Sequence, residues 1–360
     1  MISWWRTKLG DEEIYSVRDS INQECISQGE KTLLFEREIA KALNVRYAVA
    51  VPSGSIALLM SLMVLGIKKN DEVIVPNRTF IATAHAALLL GAKIILIDVV
   101  PNIPVLNVSE LKKKITSKTK AIIPVHLNGR SVDMLELNKI AKEYNLKVIE
   151  DAAQAIFSKN EYGFLGTQSD VGCFSLGVTK LLTTGQGGIA VTNDEELYAS
   201  MKKCRNHGVN DTLSDLYTQF GFNFKFNDIL ASVGIAQLAK IKGTIDYVKK
   251  VYNLYKEELK GIECMQIIPV NIEKGEIPLW VEVLCTKREE LMKFLLGNGI
   301  ETRRFLPDLH FSRHLKARKA VFLNSEKFHK YGVFLPCGPN QSTKDIEFVI
   351  SKIKEFNKQN

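Results

Sequence analysis

From residue 33 onward the sequence keeps switching its hydrophobic period, and this alternation restricts the possible folds more than any other feature. Residues 33–43 (LLFEREIAKAL) carry apolar positions at helical spacing, 47–51 (YAVAV) is an apolar run of strand length, and 55–66 returns to a helical pattern. Strand-like runs recur at 72–75 (EVIV), 93–97 (KIILI), 120–124 (KAIIP) and 147–150 (KVIE), each separated by a helical stretch. Parallel strands need crossover connections of this kind. The pattern therefore predicts an α/β fold, a mainly parallel central sheet flanked by helices on both faces. Two further apolar runs, 171–175 and 188–192, lie close together in sequence and are expected in another part of the same sheet. Helices are expected at about 194–206 and 227–240.

Near residue 240 the pattern changes. A Lys-rich helical stretch (245–259) leads to apolar runs at 265–270 and 279–284 and to helices at about 287–296 and 344–356. This order predicts a large domain over 1–240 and a small C-terminal α+β domain over 241–360. A chain of 360 residues that is 46% hydrophobic and 24% charged has the material for both cores, which excludes disordered and collagen-like classes. Its net charge of +8 is spread along the chain without a helix-turn-helix, zinc-finger or RNA-recognition motif, so no nucleic-acid partner is expected. The Lys112–Lys114 run reads as a solvated helix face. Six scattered cysteines, with no C-x-x-C pair and no cysteine–histidine cluster, predict a reduced cytoplasmic setting and no metal site. No apolar stretch approaches the ~20 residues that span a bilayer, and the first residues lack a signal-peptide pattern, so no membrane partner is expected.

Four segments carry chemistry. Pro52-Ser53-Gly54-Ser55 follows the YAVAV run and opens a helix, where free N–H groups and a hydroxyl suit a phosphate; an ordinary Ser N-cap accounts for it equally well. Glu150-Asp151-Ala152-Ala153-Gln154 ends the KVIE run, on the sheet edge where open parallel sheets bind ligands. Ser175 and Lys180 lie in FSLGVTK, shortly before the glycine-rich GQGG. A lysine amine, an acid and a phosphate cradle together form the inventory for pyridoxal phosphate: the lysine forms a Schiff base with the aldehyde, and the acid keeps the ring nitrogen protonated. Finally, GFNFKFND alternates aromatics with polar residues, leaving Asn223 to face a ligand or a neighbouring subunit.

With these residues in view, the chain resembles the DegT/DnrJ/EryC1/StrS family of pyridoxal-phosphate-dependent sugar aminotransferases. The segments that carry the resemblance are FEREIAKALNVRYAVAVPSGSIAL, DEVIVPNRTFIATAHAALLLGA, TKAIIPVHLNG, VIEDAAQA, SDVGCFSLGVTK, GQGGIAVTND, RNHGV and GFNFKFNDILASVGIAQL. It implies the aspartate-aminotransferase fold (fold type I), active sites shared across a homodimer, and pyridoxal 5'-phosphate as cofactor. By position, it implies that Lys180 bonds the cofactor and shuttles protons, that Asp151 pairs with the pyridine nitrogen, and that Gln154 bonds the phenolic oxygen. Gly54, Ser55 and Ser175 would hold the phosphate, Phe80 would stack on the ring, and Asn223 would reach the phosphate of the other subunit.

The implied activity is amino transfer from L-glutamate to the keto carbon of a nucleotide-linked sugar, in polysaccharide biosynthesis. Two alternatives stay open: amination of a phosphorylated small ketone or keto-polyol, and a catalytically silent regulator or binding protein with this fold. The sequence departs from the family pattern at Asn128, where an aromatic is usual, at Leu176-Gly177-Val178, and around Leu306-Pro307-Asp308. Arg78, His126, Arg303, Arg304 and His310 are candidates for substrate contact; the arginines fit a phosphorylated acceptor because guanidinium pairs with phosphate. Arg205, in RNHGV, matches the motif with its role open.

Overall fold

The computed structural model describes residues 1–213, 215–315, 317 and 320–359. Helices α1 (Asp11–Asn22) and α2 (Glu30–Ala42) precede an alternation of β1 (Tyr47–Val51), α3 (Gly54–Val64), β2 (Glu72–Pro76), α4 (Ala82–Leu89), β3 (Lys93–Ile97), α5 (Leu111–Lys114), β4 (Thr119–Ile122), α6 (Met134–Glu143) and β5 (Lys147–Asp151). After a short hairpin, β6 (Lys159–Asn160) and β7 (Gly163–Phe164), come β8 (Val171–Ser175), β9 (Gly188–Thr192), α7 (Glu195–Arg205) and α8 (Asp228–Ala239). The seven-stranded sheet has the order β1-β9-β8-β5-β4-β2-β3. As the alternation predicts, β3, β2, β4, β5 and β8 pair in parallel. Strand β9 runs antiparallel between β8 and β1.

Strand alternation explains why the sheet is covered on both faces. In β1, Val49 and Val51 point into a core with α3 and α4, whereas Ala48 and Ala50 face the opposite core with Phe35 and Ile39 of α2. Strand β2 repeats this, with Val73 and Val75 on one side and Ile74 on the other against Leu137 and Ile140 of α6.

The C-terminal part of the chain, a second unit by virtue of its separate sheet, runs through α9 (Ile241–Glu258), β10 (Met265–Ile267), β11 (Val281–Cys285), α10 (Arg288–Gly297), β12 (Arg303–Arg304), α11 (Leu323–Tyr331), β13 (Gly332–Leu335) and α12 (Thr343–Gln359), and its core is continuous with that of α2 and β1. Its antiparallel sheet has the order β10-β11-β13-β12. The expected division at 240/241 falls between α8 and α9. Strands β12 and β13 are absent from the sequence reading. Helix α1 was also not expected, and it leaves Ile14 and Ile21 exposed. Residues 1–6 lie against the second unit: Ile2 bridges Ile300, the Ser3 hydroxyl donates to Glu301 (2.9 Å), and the Gln341 amide donates to the Ser3 carbonyl (2.7 Å). All six cysteines are free thiols. Among the described residues, no helix is long and apolar enough to cross a membrane and no group of three or more His, Cys, Asp or Glu is placed to hold a metal.

Candidate active site

The carboxyl ends of β1, β5 and β8 converge on a cavity of about 550 Å³. Beyond β1, Ser53 caps α3 by accepting the Ile56 N–H at 3.2 Å. This leaves Gly54 and Ser55 on the cavity wall, with the Ser55 side chain exposed. Gly54 is needed for close approach: a Cβ there would stand 3.0 Å from Cβ of Ser175, the last residue of β8. The helix start and the strand end are thereby pressed into one small-residue cradle, where α3 directs its free N–H groups. Ser175 also lies on the wall, and its hydroxyl accepts the Gly177 N–H at 3.3 Å.

Asp151 ends β5 on the same wall. Its carboxylate accepts from the Thr83 hydroxyl (2.7 Å), itself 3.0 Å from the Thr79 hydroxyl, and from the Ala153 N–H (3.1 Å). Burial pushes its pKa up, against the opposing effects of these bonds and of Lys180. A carboxyl held in this way gains from a cation brought against it. Lys180 follows β8 in a loop fixed by its own N–H to the Gly177 carbonyl (2.9 Å) and by Leu176 to Gly187. It is half-buried on the cavity wall, and desolvation brings its pKa down to about 8 despite Asp151. Gln154 and Phe80 complete this part of the wall; Phe80 is 52% exposed, a large ring face open to the cavity.

Apart from Arg303 and Arg304, the cover was not anticipated from sequence. Trp4, Trp280, Leu306 and Phe334 line the opposite side, with Arg303 and Arg304. Trp4 lies 6.2 Å from Trp280 and 6.0 Å from Phe334 between ring centroids, and the Lys180 Nζ sits 5.2 Å above the Trp280 ring. The neighbouring Trp5 donates its indole N–H to the Val178 carbonyl (3.2 Å), holding the lysine loop. The chain's three tryptophans thus gather at one place; two adjacent Trp in a sequence with only three was the available signal.

Three expected substrate residues are not on the wall of this cavity. Arg78 is buried and committed: its Nη1 donates to Asp308 (2.8 Å) and to the Leu306 carbonyl (2.6 Å), and its guanidinium lies 4.8 Å from the Phe305 ring centroid. It borders a void of about 20 Å³ that adjoins the cavity and shares Thr79, Phe80, Gln154, Trp280, Leu306 and Phe334 with it. His126 is fully buried and meets Glu150 through Nε2 (2.8 Å), while its Nδ1 accepts the Val132 N–H (3.3 Å), so the proton sits on Nε2 and the ring is neutral. Glu150 also accepts from Gly166, Gln168 and Ser169, which makes this a structural network. His310 packs on Phe322 and bonds Asn77 through its backbone N–H (2.9 Å), docking its segment beyond β2.

Arg303 and Arg304 remain on the cavity wall, 56% and 60% exposed, in surface pairs with Glu301 and Glu289. Arg205 is buried against Glu36 and donates to the Ala50 carbonyl (3.0 Å), tying α7 to α2 and β1. Asn223 is exposed and absent from its own chain's cavity wall.

Residues 7–354 match the model of the DegT/DnrJ/EryC1/StrS aminotransferase family. GDP-perosamine synthase of Escherichia coli O157:H7 is 33% identical over 345 residues, covering 92% of this chain and 91% of the relative. The UDP-4-amino-4,6-dideoxy-N-acetyl-beta-L-altrosamine transaminase of Campylobacter jejuni is 30% identical over 97% of this chain and 96% of its own. Of solved structures, S. venezuelae DesV superposes with a TM-score of 0.92 at 28% identity, over 96% of this chain and 94% of DesV.

Proposed function

The chain belongs to the DegT/DnrJ/EryC1/StrS aminotransferase family, and from that premise we propose that it transfers an amino group from L-glutamate to the keto carbon of a nucleotide-linked sugar. Pyridoxal 5'-phosphate is the cofactor. The observation that carries the reading is one cavity holding the Lys180 amine, the buried Asp151 carboxyl and the Gly54–Ser55–Ser175 cradle. These residues fit the group. The cradle offers hydroxyls and helix N–H groups to a phosphate, Asp151 offers an anion to a protonated ring nitrogen, Gln154 an amide to the phenolic oxygen, and Phe80 an exposed face to the ring. Bound there, the cofactor supplies an aldehyde for nitrogen and an electron-withdrawing ring.

Lys180 then has two tasks. It would anchor the cofactor and, once free, move a proton at the substrate carbon; with a pKa of about 8, roughly a tenth of the amine is neutral at pH 7, far more than for an ordinary lysine. The Trp280 ring covers one side of that amine and limits the approach of water from there.

For the acceptor, support comes from the relatives' names, which specify GDP- and UDP-linked sugars, and from Arg303 and Arg304. Their carboxylate pairs are exposed and therefore weak, so an incoming diphosphate can replace them. Arg78, which would favour a small phosphorylated ketone, already donates through its Nη1 to Asp308 and to the Leu306 carbonyl.

Asn223 and the exposed Phe220, Phe222, Ile14 and Ile21 support a homodimer in which each copy completes its partner's site; the protein is read as cytoplasmic, with residues 1–240 as the cofactor-binding unit and 241–360 as the smaller one. The test incubates the protein with glutamate, nucleotide-linked keto-sugars and phosphorylated ketones, and detects aminated product by mass spectrometry. Amination of a phosphorylated ketone alone would overturn the acceptor assignment. Absence of a borohydride-fixed mass on the Lys180 peptide would overturn the cofactor assignment.

A further inference from the structure

The loop after β4 is the seam between the two units. Within it Asn128 is fully buried with φ of +55°, a left-handed conformation that asparagine tolerates better than most residues. Its side chain pairs with one residue of the other unit twice: Oδ1 accepts the Trp280 N–H at 2.7 Å, and Nδ2 donates to the Trp280 carbonyl at 3.0 Å. A primary amide matches the donor and acceptor of a peptide unit, so Asn128 completes Trp280 as a neighbouring strand would.

The Asn128 backbone N–H donates to Gln154 Oε1 at 2.9 Å. Because a backbone N–H can only donate, the Gln154 amide must turn its oxygen towards Asn128, leaving its NH₂ end for a ligand oxygen. Around this point the seam is closed by Arg130, which donates to Glu282 and to the Pro269 carbonyl (2.8 Å), and by Ser131, whose N–H donates to Glu276 (2.9 Å). Trp280 carries the ring above the Lys180 amine.

We propose that Asn128 is a positioning residue of the amino-transfer site, holding Trp280 over Lys180 and orienting Gln154 so that the cover and the cofactor wall move as one body. The inference rests on the cofactor reading above for its consequence in catalysis, while the clamp itself is a property of the protein alone. Without the amide, the Trp280 backbone loses both buried partners, the ring is freed and water reaches Lys180. The lysine's neutral form is then less favoured, because burial is what lowers its pKa.

The test uses N128G, which keeps the left-handed backbone and the N–H to Gln154 and removes only the clamp. Protein labelled with 5-fluorotryptophan gives resonances for Trp4, Trp5 and Trp280, and W280F assigns the last. In N128G without cofactor, the Trp280 resonance should broaden or shift while that of Trp5 stays in place. In the loaded enzyme, the pH midpoint for borohydride-fixed attachment to Lys180 should rise by roughly one pH unit. The kcat should fall about tenfold with KM for glutamate nearly unchanged. N128D, which keeps the acceptor and loses the donor, should move the same signals less, and it serves if N128G does not fold. An unchanged Trp280 resonance and an unchanged midpoint would overturn the proposal. Should wild-type protein take up no cofactor, the functional reading fails, and the fluorine resonance still decides whether Asn128 holds Trp280.

Discussion

The floor of the cavity and its cover are built in opposite ways. Gly54, Ser55, Asp151, Gln154, Ser175 and Lys180 stand at or just beyond the ends of three strands, in short contiguous motifs whose placement follows once the parallel sheet forms. Trp4, Trp280, Arg303, Arg304 and Phe334 come from the first residues and from the small sheet, and only the docking of two units brings them together. The floor is chemically specific and the cover sterically specific. Substitutions in the two should therefore fail differently.

The largest effect is expected on the floor. K180A should lower amino transfer by at least about 10³-fold and abolish borohydride-fixed cofactor, measured by single-turnover kinetics and peptide mass spectrometry, because both the anchor and the proton carrier are lost. Next comes the contrast between two kinds of arginine. R78A strands the buried Asp308 carboxylate, so unfolding by urea should show a loss of about 3–5 kcal/mol. R303A and R304A, which break only exposed pairs, should change stability little and raise KM for the nucleotide-linked sugar about tenfold. Their donor half-reaction, followed with glutamate alone, should stay as in wild type. Equal effects of the two kinds of arginine on KM would erase the distinction between seam and acceptor site.

The smallest effect is one of pH. Lys180 must be neutral to attack an aldehyde, and its pKa of about 8 lies below the ordinary 10.5. Cofactor attachment by the apoprotein, followed by absorbance, should therefore rise through about pH 8, with roughly a hundredth of the amine neutral at pH 6. The sign for stability is the same. The folded state binds fewer protons at Lys180 than the unfolded chain between about pH 8 and 10.5, so the group's contribution improves as pH rises through that window and its burial is most costly below it. W280A, which opens the lysine to water, should move the attachment midpoint upward.

How much of this was legible beforehand differs from residue to residue. Lys180, Asp151 and Ser175 are readable because strand ends in a parallel sheet point to one edge, so local position already implies a common site. Arg78 and His310 carry the right chemistry for substrate, yet each is taken up by a residue more than 200 positions away, Asp308 and Asn77 respectively. No local pattern reports such a partner. His126 is likewise absorbed by Glu150, 24 residues along the chain.

The sequence by itself determined the alternation, hence the parallel sheet, and through the sheet the cofactor wall, because hydrophobic period and strand ends are local properties. Tertiary structure alone decided which charges are spent on holding the fold and which face the cavity. It also decided that Trp280 lies over Lys180, with Trp4 against Trp280 and Trp5 bonded to the lysine loop. Burial and pairing are relations between segments apart in sequence, and they exist only after those segments have packed together.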